Sequence, residues 1–255
     1  MELTEVKFWE DYWANCKLPS TADMTFSFDR CLADALKKHM PHVQGDVFEV
    51  GCAPGKWLAF MAKEFPLIPS GIEYSEAGMQ ATLENFKILD LAAGSILTGD
   101  FFQTQPDRKF DVVMSFGFIE HFDNVDDVVE LHLGWLKPGG TLILGVPNFC
   151  GINSYIQNVL DPEILDKHNL KIMNLGYFQS LAKRFNLKPV FLDYIGSFEP
   201  SLPIAKHRFG NPMQFIVKSF LWFAHRIRRI KKLDHLNHQF FSSYILAIYK
   251  KSELN

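Results

Sequence analysis

The sequence predicts an α/β fold of the doubly wound kind, a Rossmann-like sheet covered by helices on both faces. Three observations carry the prediction. Short apolar runs bounded by turn residues recur along the chain, helical patterns fall between them, and the first run feeds a glycine-rich turn, DVFEVGCAPGKW over residues 46–57. Near-continuous apolar strands are what a parallel sheet requires when both its faces are buried, and the intervening helices supply the cover.

Taken in order, strands are predicted at 47–50, 68–74, 95–98, 110–115, 141–146, 189–195 and 244–249. Helical patterns at 57–64, 75–89, 125–136 and 175–185 separate them. Ahead of the first strand, 5–13 and 28–40 read as two helices, the second with Leu32, Ala35, Leu36 and Met40 on one face. Together they make residues 1–44 a helical N-terminal lid over a core at 45–147. Behind the fifth strand, 148–174 is a long connection, and connections beyond about 12–15 residues usually serve a function. It is expected to act as a cap. A second, basic helical insertion at 197–239 separates the last two strands, and the whole is read as one domain.

Composition narrows the class. A chain of 255 residues that is 47% hydrophobic has ample apolar material for a packed core. No run reaches the roughly 18 apolar residues of a spanning helix, and the charged start MELTEVKFWEDYW does not resemble a signal peptide, so a cytoplasmic location is expected. Cys16, Cys31, Cys52 and Cys150 show no paired spacing, which predicts reduced thiols and no metal site. The net charge of -3 conceals an asymmetry: residues 1–203 hold 16 basic and 27 acidic side chains, while residues 204–255 hold 10 and 2. That acidic body argues against broad nucleic-acid contact. Within the basic part, PMQFIVKSFLWFAHRIRRIKKL at 212–233 is an apolar and aromatic helix that turns cationic at its end. It fits a folded cap or a dimer surface first, and otherwise a peripheral contact with a membrane or another anionic partner. Monomer and homodimer both stay open.

The chemistry gathers at the strand ends, where ligands of doubly wound sheets bind. Gly51, Ala53 and Gly55 are small where the chain turns tightly and lets a ligand approach the backbone ahead of a helix N-terminus. That signature is shared by dinucleotide-dependent dehydrogenases. Further along, Glu73 ends the second strand in GIEYSEAG, Asp100 and Phe101 follow the third in TGDFF, and FDVVMSFGFIEHF and LKPGGTLIL mark the fourth and fifth.

In this order and spacing the segments resemble the class I S-adenosylmethionine-dependent methyltransferases, in the branch that acts on small molecules. The resemblance covers residues 45–150 strongly and the rest loosely. It implies a seven-stranded mixed sheet whose last strand, 244–249, inserts antiparallel beside the strand preceding it in sequence. It also implies S-adenosyl-L-methionine as cofactor, with its methionine portion near Glu49, Gly51, Cys52, Ala53 and Gly55. Glu73 would hold the ribose, Tyr74 or Phe101 would stack on the adenine and Asp100 would accept from its amino group. Ser115, Phe116 and Gly117 would line the transferable methyl. Ala53 and Pro54 stand where the family more often has a second glycine and its neighbour, which stiffens the turn and suits a cofactor without pyrophosphate.

An oxygen acceptor that keeps its proton needs a base, and His121 is the candidate because an unperturbed imidazole titrates near neutrality. The competing reading has Glu120 and His121 fix the loop or touch the cofactor. Acceptor contacts are expected from Tyr12 and Trp13 in the lid and from Asn148, Asn153 and Tyr155 in the cap, although aromatic residues at helical spacing also serve packing. His168 either faces the acceptor pocket or is a structural loop residue. The expected activity is methyl transfer to an oxygen or nitrogen of a small-molecule or glycan-type acceptor. A NAD-dependent oxidoreductase accounts for the first turn and Glu73 but leaves GDFF and LKPGGTLIL without a role. A non-catalytic cofactor-binding module working through the basic surface is the third reading. An RNA-ribose methyltransferase shares the GCAPG turn but needs a lysine set that this sequence does not assemble.

Overall fold

A computed structural model describes residues 4–40, 42–197 and 212–253. Seven strands, β1 (Gly45–Val50), β2 (Leu67–Glu73), β3 (Ile96–Thr98), β4 (Phe110–Phe116), β5 (Leu136–Pro147), β6 (Leu187–Ile195) and β7 (Tyr244–Lys251), form one sheet in the order β3-β2-β1-β4-β5-β7-β6. The first five are parallel, and β7 runs antiparallel to both β5 and β6. The doubly wound, seven-stranded sheet and its inserted last strand are therefore as expected. Most strand ends move by only one or two residues. β5 starts earlier, at Leu136, because Leu136 already pairs with Phe110, ahead of an irregularity between Phe110 and Val112.

The apolar runs are continuous because both faces of the sheet are covered. Phe48, Val113, Leu142, Leu144, Ile245 and Ala247 point into one layer, with Trp135 and Phe178 from the helices above. Val47, Val112, Met114, Ile143, Leu246 and Ile248 point into the other, against Leu58 and Met61. This is the period-two alternation of a strand with apolar residues on both phases. Phe48 stacks on Trp135 with ring centroids 4.2 Å apart, which seats α5 (Val125–Trp135) on the sheet.

Of the predicted lid, α1 (Val6–Trp13) lies over the strand ends, while α2 (Ser27–His39) packs as part of the second layer, with Leu32 and Leu36 fully buried. The glutamate Glu10 anchors α1 by accepting from the Glu76 and Ala77 N–H groups (2.6 and 3.0 Å) at the start of α4 (Glu76–Ile88). A carboxylate there answers the free N–H groups and positive end of that helix. α3 (Lys56–Glu64) follows the first turn.

The connection after β5 is more ordered than the sequence suggested. It contains α6 (Gly151–Leu160) and two 3-10 turns, Pro162–Lys167 and Leu170–Ile172, before α7 (Leu175–Arg184). Gly151 has a φ of +56°, and a Cβ there would collide with the Phe240 backbone, so the helix start is seated against the chain leading into β7. Part of the predicted basic insertion, 198–211, lies outside the described residues. The rest forms α8 (Pro212–Ile227) and a 3-10 turn, Lys231–Leu233. Arg30 clamps the segment after it, donating from Nε and Nη2 to the Asp234 carboxylate at 2.7 and 2.8 Å. No helix among the described residues is long and apolar enough to cross a membrane.

Candidate active site

β1 and β4 lie side by side at the point where the strand order reverses, and their carboxyl ends open into a cavity of about 290 Å³. The turn after β1 forms its floor. The Gly51 and Cys52 N–H groups both donate to the Ile72 carbonyl (2.9 and 3.2 Å), tying the turn to β2. Gly51 has a φ of +69°, and a Cβ added there would stand 3.0 Å from the Phe118 ring. Gly55, at +82°, precedes α3, where an added Cβ would meet Thr82 and Phe86.

Gly51 and Ala53 face the cavity, but Glu49, Cys52 and Gly55 do not line it. Cys52 is buried against Gly71 beneath the turn, Gly55 shapes the helix start, and Glu49 is buried. Burial first, then the nearby Glu73, pushes the Glu49 carboxyl well above its ordinary range, and its Oε2 has no partner among the described residues.

Glu73 closes β2 at the cavity edge. Its Oε2 accepts from the Ala53 N–H (3.2 Å), and its Oε1 accepts from the N–H and hydroxyl of Ser75 (3.0 and 3.2 Å). Burial nevertheless raises its pKa. Tyr74, Asp100 and Phe101 line the cavity. Asp100 is held by the Phe102 N–H at 2.9 Å and the Gln103 side-chain amide at 2.8 Å. Phe101 is almost wholly buried, edge-on to Phe118 and His132.

After β4, Phe116 and Gly117 reach the cavity, whereas Ser115 does not. Its strand phase turns the hydroxyl into the core, 3.1 Å from His132 Nε2. The next turn, a 3-10 segment over Ile119–His121, brings Glu120 and His121 to the cavity wall. His168 joins them from the connection after β5, its ring centroid 4.5 Å from that of His121. The Nδ1 of His121 lies 2.8 Å from the Lys167 carbonyl oxygen and 3.1 Å from Thr4 Oγ1, and the Nδ1 of His168 lies 2.6 Å from the Ile164 carbonyl oxygen. Burial and then His168 push His121 down to about 3, and burial pushes His168 down to about 4. The reason for naming His121 as base, an imidazole titrating near neutrality, does not hold at this site: buried and neutral, His121 is a weak proton acceptor. Burial drives Glu120 the other way, up to about 8.

The outer wall comes from α1. Phe8, Trp9, Tyr12 and Trp13 all line the cavity, with the Trp9 ring edge-on to His121 at 5.1 Å. The three acceptor contacts expected from the cap do not reach the cavity. Asn148 is fully buried and donates to the Gln239 and Ser242 carbonyls (2.8 and 2.7 Å), and Asn153 pins the same stretch. Tyr155 is 55% exposed on α6, away from the cavity. Sequence reasoning missed Ile164, Lys167 and Tyr244, which also line it. Tyr244 could have been found from the antiparallel last strand: its pairing with Pro147 puts it at the carboxyl end of β5.

A sheet of this order, with a cavity over the β1 and β4 ends and a carboxylate closing β2, defines the class I methyltransferases. A family profile described as a methyltransferase domain matches residues 27–191, and the chain belongs to that family, whose cofactor is S-adenosylmethionine. Among curated proteins it is similar to a tRNA U34 carboxymethyltransferase of Desulfotalea psychrophila, 32% identical over 126 residues, which are 47% of this chain and 38% of that protein. The chain spans 38% of the length of the curated relatives it matches. Among solved structures, an S-adenosylmethionine-dependent methyltransferase of Thiobacillus denitrificans in complex with S-adenosyl-L-homocysteine is 13% identical, with a TM-score of 0.58 over 98% of this chain and 99% of that one. Phosphoethanolamine N-methyltransferase 2 of Haemonchus contortus is 18% identical, with a TM-score of 0.58 over 96% of this chain and 56% of that one.

Proposed function

We propose that the protein transfers the methyl group of S-adenosylmethionine to an oxygen or nitrogen of a small-molecule or glycan-type acceptor with an apolar or ring-shaped body. The observation that carries this reading is a single cavity with two unlike halves. One half has the Gly51 turn, the Glu73 carboxylate and Asp100, and the other has the α1 aromatics facing Glu120, His121 and His168. The first half fits the cofactor: Gly51 leaves backbone accessible without a side chain, and Glu73 Oε2, which accepts only the Ala53 N–H, keeps acceptor capacity for a ribose hydroxyl.

When bound, the cofactor supplies a methyl on a positive sulfur, whose leaving group is a neutral thioether. The acceptor lone pair forms the new bond to that carbon as the carbon–sulfur bond breaks, and an oxygen acceptor also gives up its proton. The chain's task is then orientation and water exclusion. Gly51, Phe116 and Gly117 set the floor, and Trp9, Tyr12 and Trp13 close the outer side. An NAD-dependent oxidoreductase is not favoured, since Ala53 and Pro54 stiffen the turn that would cradle a pyrophosphate. A tRNA acceptor, named for one relative, is not favoured by a body of 27 acidic against 16 basic side chains. Incubation with methyl-labelled S-adenosylmethionine and fractionated small-molecule extracts tests the proposal. Label entering a low-mass fraction supports it; label entering only RNA contradicts it.

For α8 we propose peripheral contact with an anionic membrane surface. Phe215 (75% exposed), Trp222 (61%) and Phe223 face outward, and the exposed Arg226, Arg229, Lys231 and Lys232 follow at the helix end and beyond. Exposed aromatics beside a cationic cluster match the two layers of an anionic bilayer surface, acyl boundary and headgroup.

A further inference from the structure

We infer that Glu120, His121 and His168 form a binding site for one divalent first-row transition metal ion, set in the acceptor half of the cavity. Each residue offers a ligand atom, and these atoms all lie within 4.8 Å of one another. The cysteine spacing had led to an expectation of no metal; the donor set here is two imidazoles and a carboxylate, which cysteine spacing does not reveal.

The hydrogen bonds fix the ligand state of both histidines. A backbone carbonyl only accepts, so the 2.8 Å contact of His121 Nδ1 with the Lys167 oxygen and the 2.6 Å contact of His168 Nδ1 with the Ile164 oxygen place the proton on Nδ1 in each ring. Each Nε2 is left with its lone pair. A neutral imidazole oriented by a carbonyl on its other nitrogen is the arrangement in which histidine binds metals. Glu120 is the independent observation. It is 1% exposed, and among the described residues no side chain, neither imidazole included, gives its carboxyl oxygens a hydrogen bond. Leaving such a group unpaired is costly, and a cation between it and the imidazoles removes the cost.

The backbone holds the cluster in place. The Asn169 N–H donates to the Glu120 carbonyl oxygen at 2.6 Å, joining the turn that carries Glu120 and His121 to the residue after His168. The neighbouring cation, Lys167, has its ammonium 3.8 Å from the Phe8 ring centroid. All three candidate ligands line the cavity, which leaves coordination positions facing the acceptor. Two nitrogens and one carboxylate select borderline ions such as Zn²⁺, Co²⁺ or Fe²⁺ over Mg²⁺ and Ca²⁺, which prefer oxygen. Resting on the methyltransferase reading, the inference also narrows the acceptor to a hydroxyl: as a further ligand its oxygen would lose its proton to solvent at neutral pH, so no side-chain base is required.

The test uses the full chain stripped with a chelator and titrated with Zn²⁺, with Co²⁺ as a spectroscopic probe and S-adenosylhomocysteine binding measured alongside. The expected result is one Zn²⁺ per chain, a Co²⁺ visible spectrum and a higher melting temperature with metal. Glu120→Gln and His168→Ala should each weaken Zn²⁺ binding at least tenfold while S-adenosylhomocysteine affinity stays within about threefold. A stripped wild-type chain that takes up no Zn²⁺ or Co²⁺ at millimolar concentration while still binding S-adenosylhomocysteine overturns the metal site and leaves the methyltransferase reading standing. Variants that bind Zn²⁺ as tightly as wild type overturn it too.

Discussion

At the scale of single residues, Glu73 carries the most weight in the cofactor half. Its carboxylate both braces the Ala53 N–H and faces the cavity, so Glu73→Gln keeps the volume while removing the charge. Hydrogen bonds to a charged acceptor are worth about 1.5–3 kcal/mol each, so S-adenosylhomocysteine affinity should fall at least tenfold by calorimetry. His132 makes a second, separate prediction. Buried between the rings of Phe101 and Phe118, with Val128 O and Ser115 Oγ on its two nitrogens, it is driven down to about 4 by burial. Its neutral form is the folded form, so its contribution is fully present above pH 6.5 and is lost as the pH falls toward 4, where the unfolded chain takes up the proton first. The loss is on the order of 3 kcal/mol. In urea melts, His132→Gln should flatten the stability profile between pH 6.5 and 4; a profile identical to wild type contradicts the assignment. Glu73, Tyr74, Asp100 and Phe101 were legible as cavity candidates because each ends or closely follows a recognisable strand. Ser115 points away from the cavity because one residue of strand phase separates the cavity from the core, and the two readings of His168 stay open in the sequence because its neighbour His121 lies far away in it.

At the scale of elements, the strands and crossover helices were legible because a continuous apolar run of four to eight residues between turn residues fits a strand buried on both faces, and longer helical periods fill the gaps between such runs. The order within 148–174 was not, since α6 carries polar residues such as Asn153 and Gln157 that bond backbone inside the protein instead of facing water. Helix α1 shows the same limit. Its Phe8, Trp9, Tyr12 and Trp13 read equally as packing or as a pocket wall, and only the anchor of Glu10 on α4 decides that they cover the cavity. α8 yields the prediction at this scale. The chain should sediment with vesicles containing anionic lipid and remain free with neutral vesicles, with binding weakened by salt. Replacing Trp222 and Phe223 with Ser should reduce sedimentation several-fold. Salt-insensitive, lipid-independent self-association in its place would make this face a dimer surface and sink the membrane reading.

At the scale of the whole molecule, one sheet brings together two sets of groups that lie far apart in the sequence. The carboxyl ends of β1 and β2 present the turn and Glu73, while β4 and the connection after β5 present Glu120, His121 and His168 under the cover of α1. The central claim is that this shared cavity holds S-adenosylmethionine and not a dinucleotide. Calorimetric titration of the full chain with S-adenosylhomocysteine and with NAD, side by side, tests it most directly. The expected result is one-to-one, micromolar binding of S-adenosylhomocysteine and no saturable heat with NAD; saturable NAD binding with no detectable affinity for S-adenosylhomocysteine at millimolar concentration would contradict it.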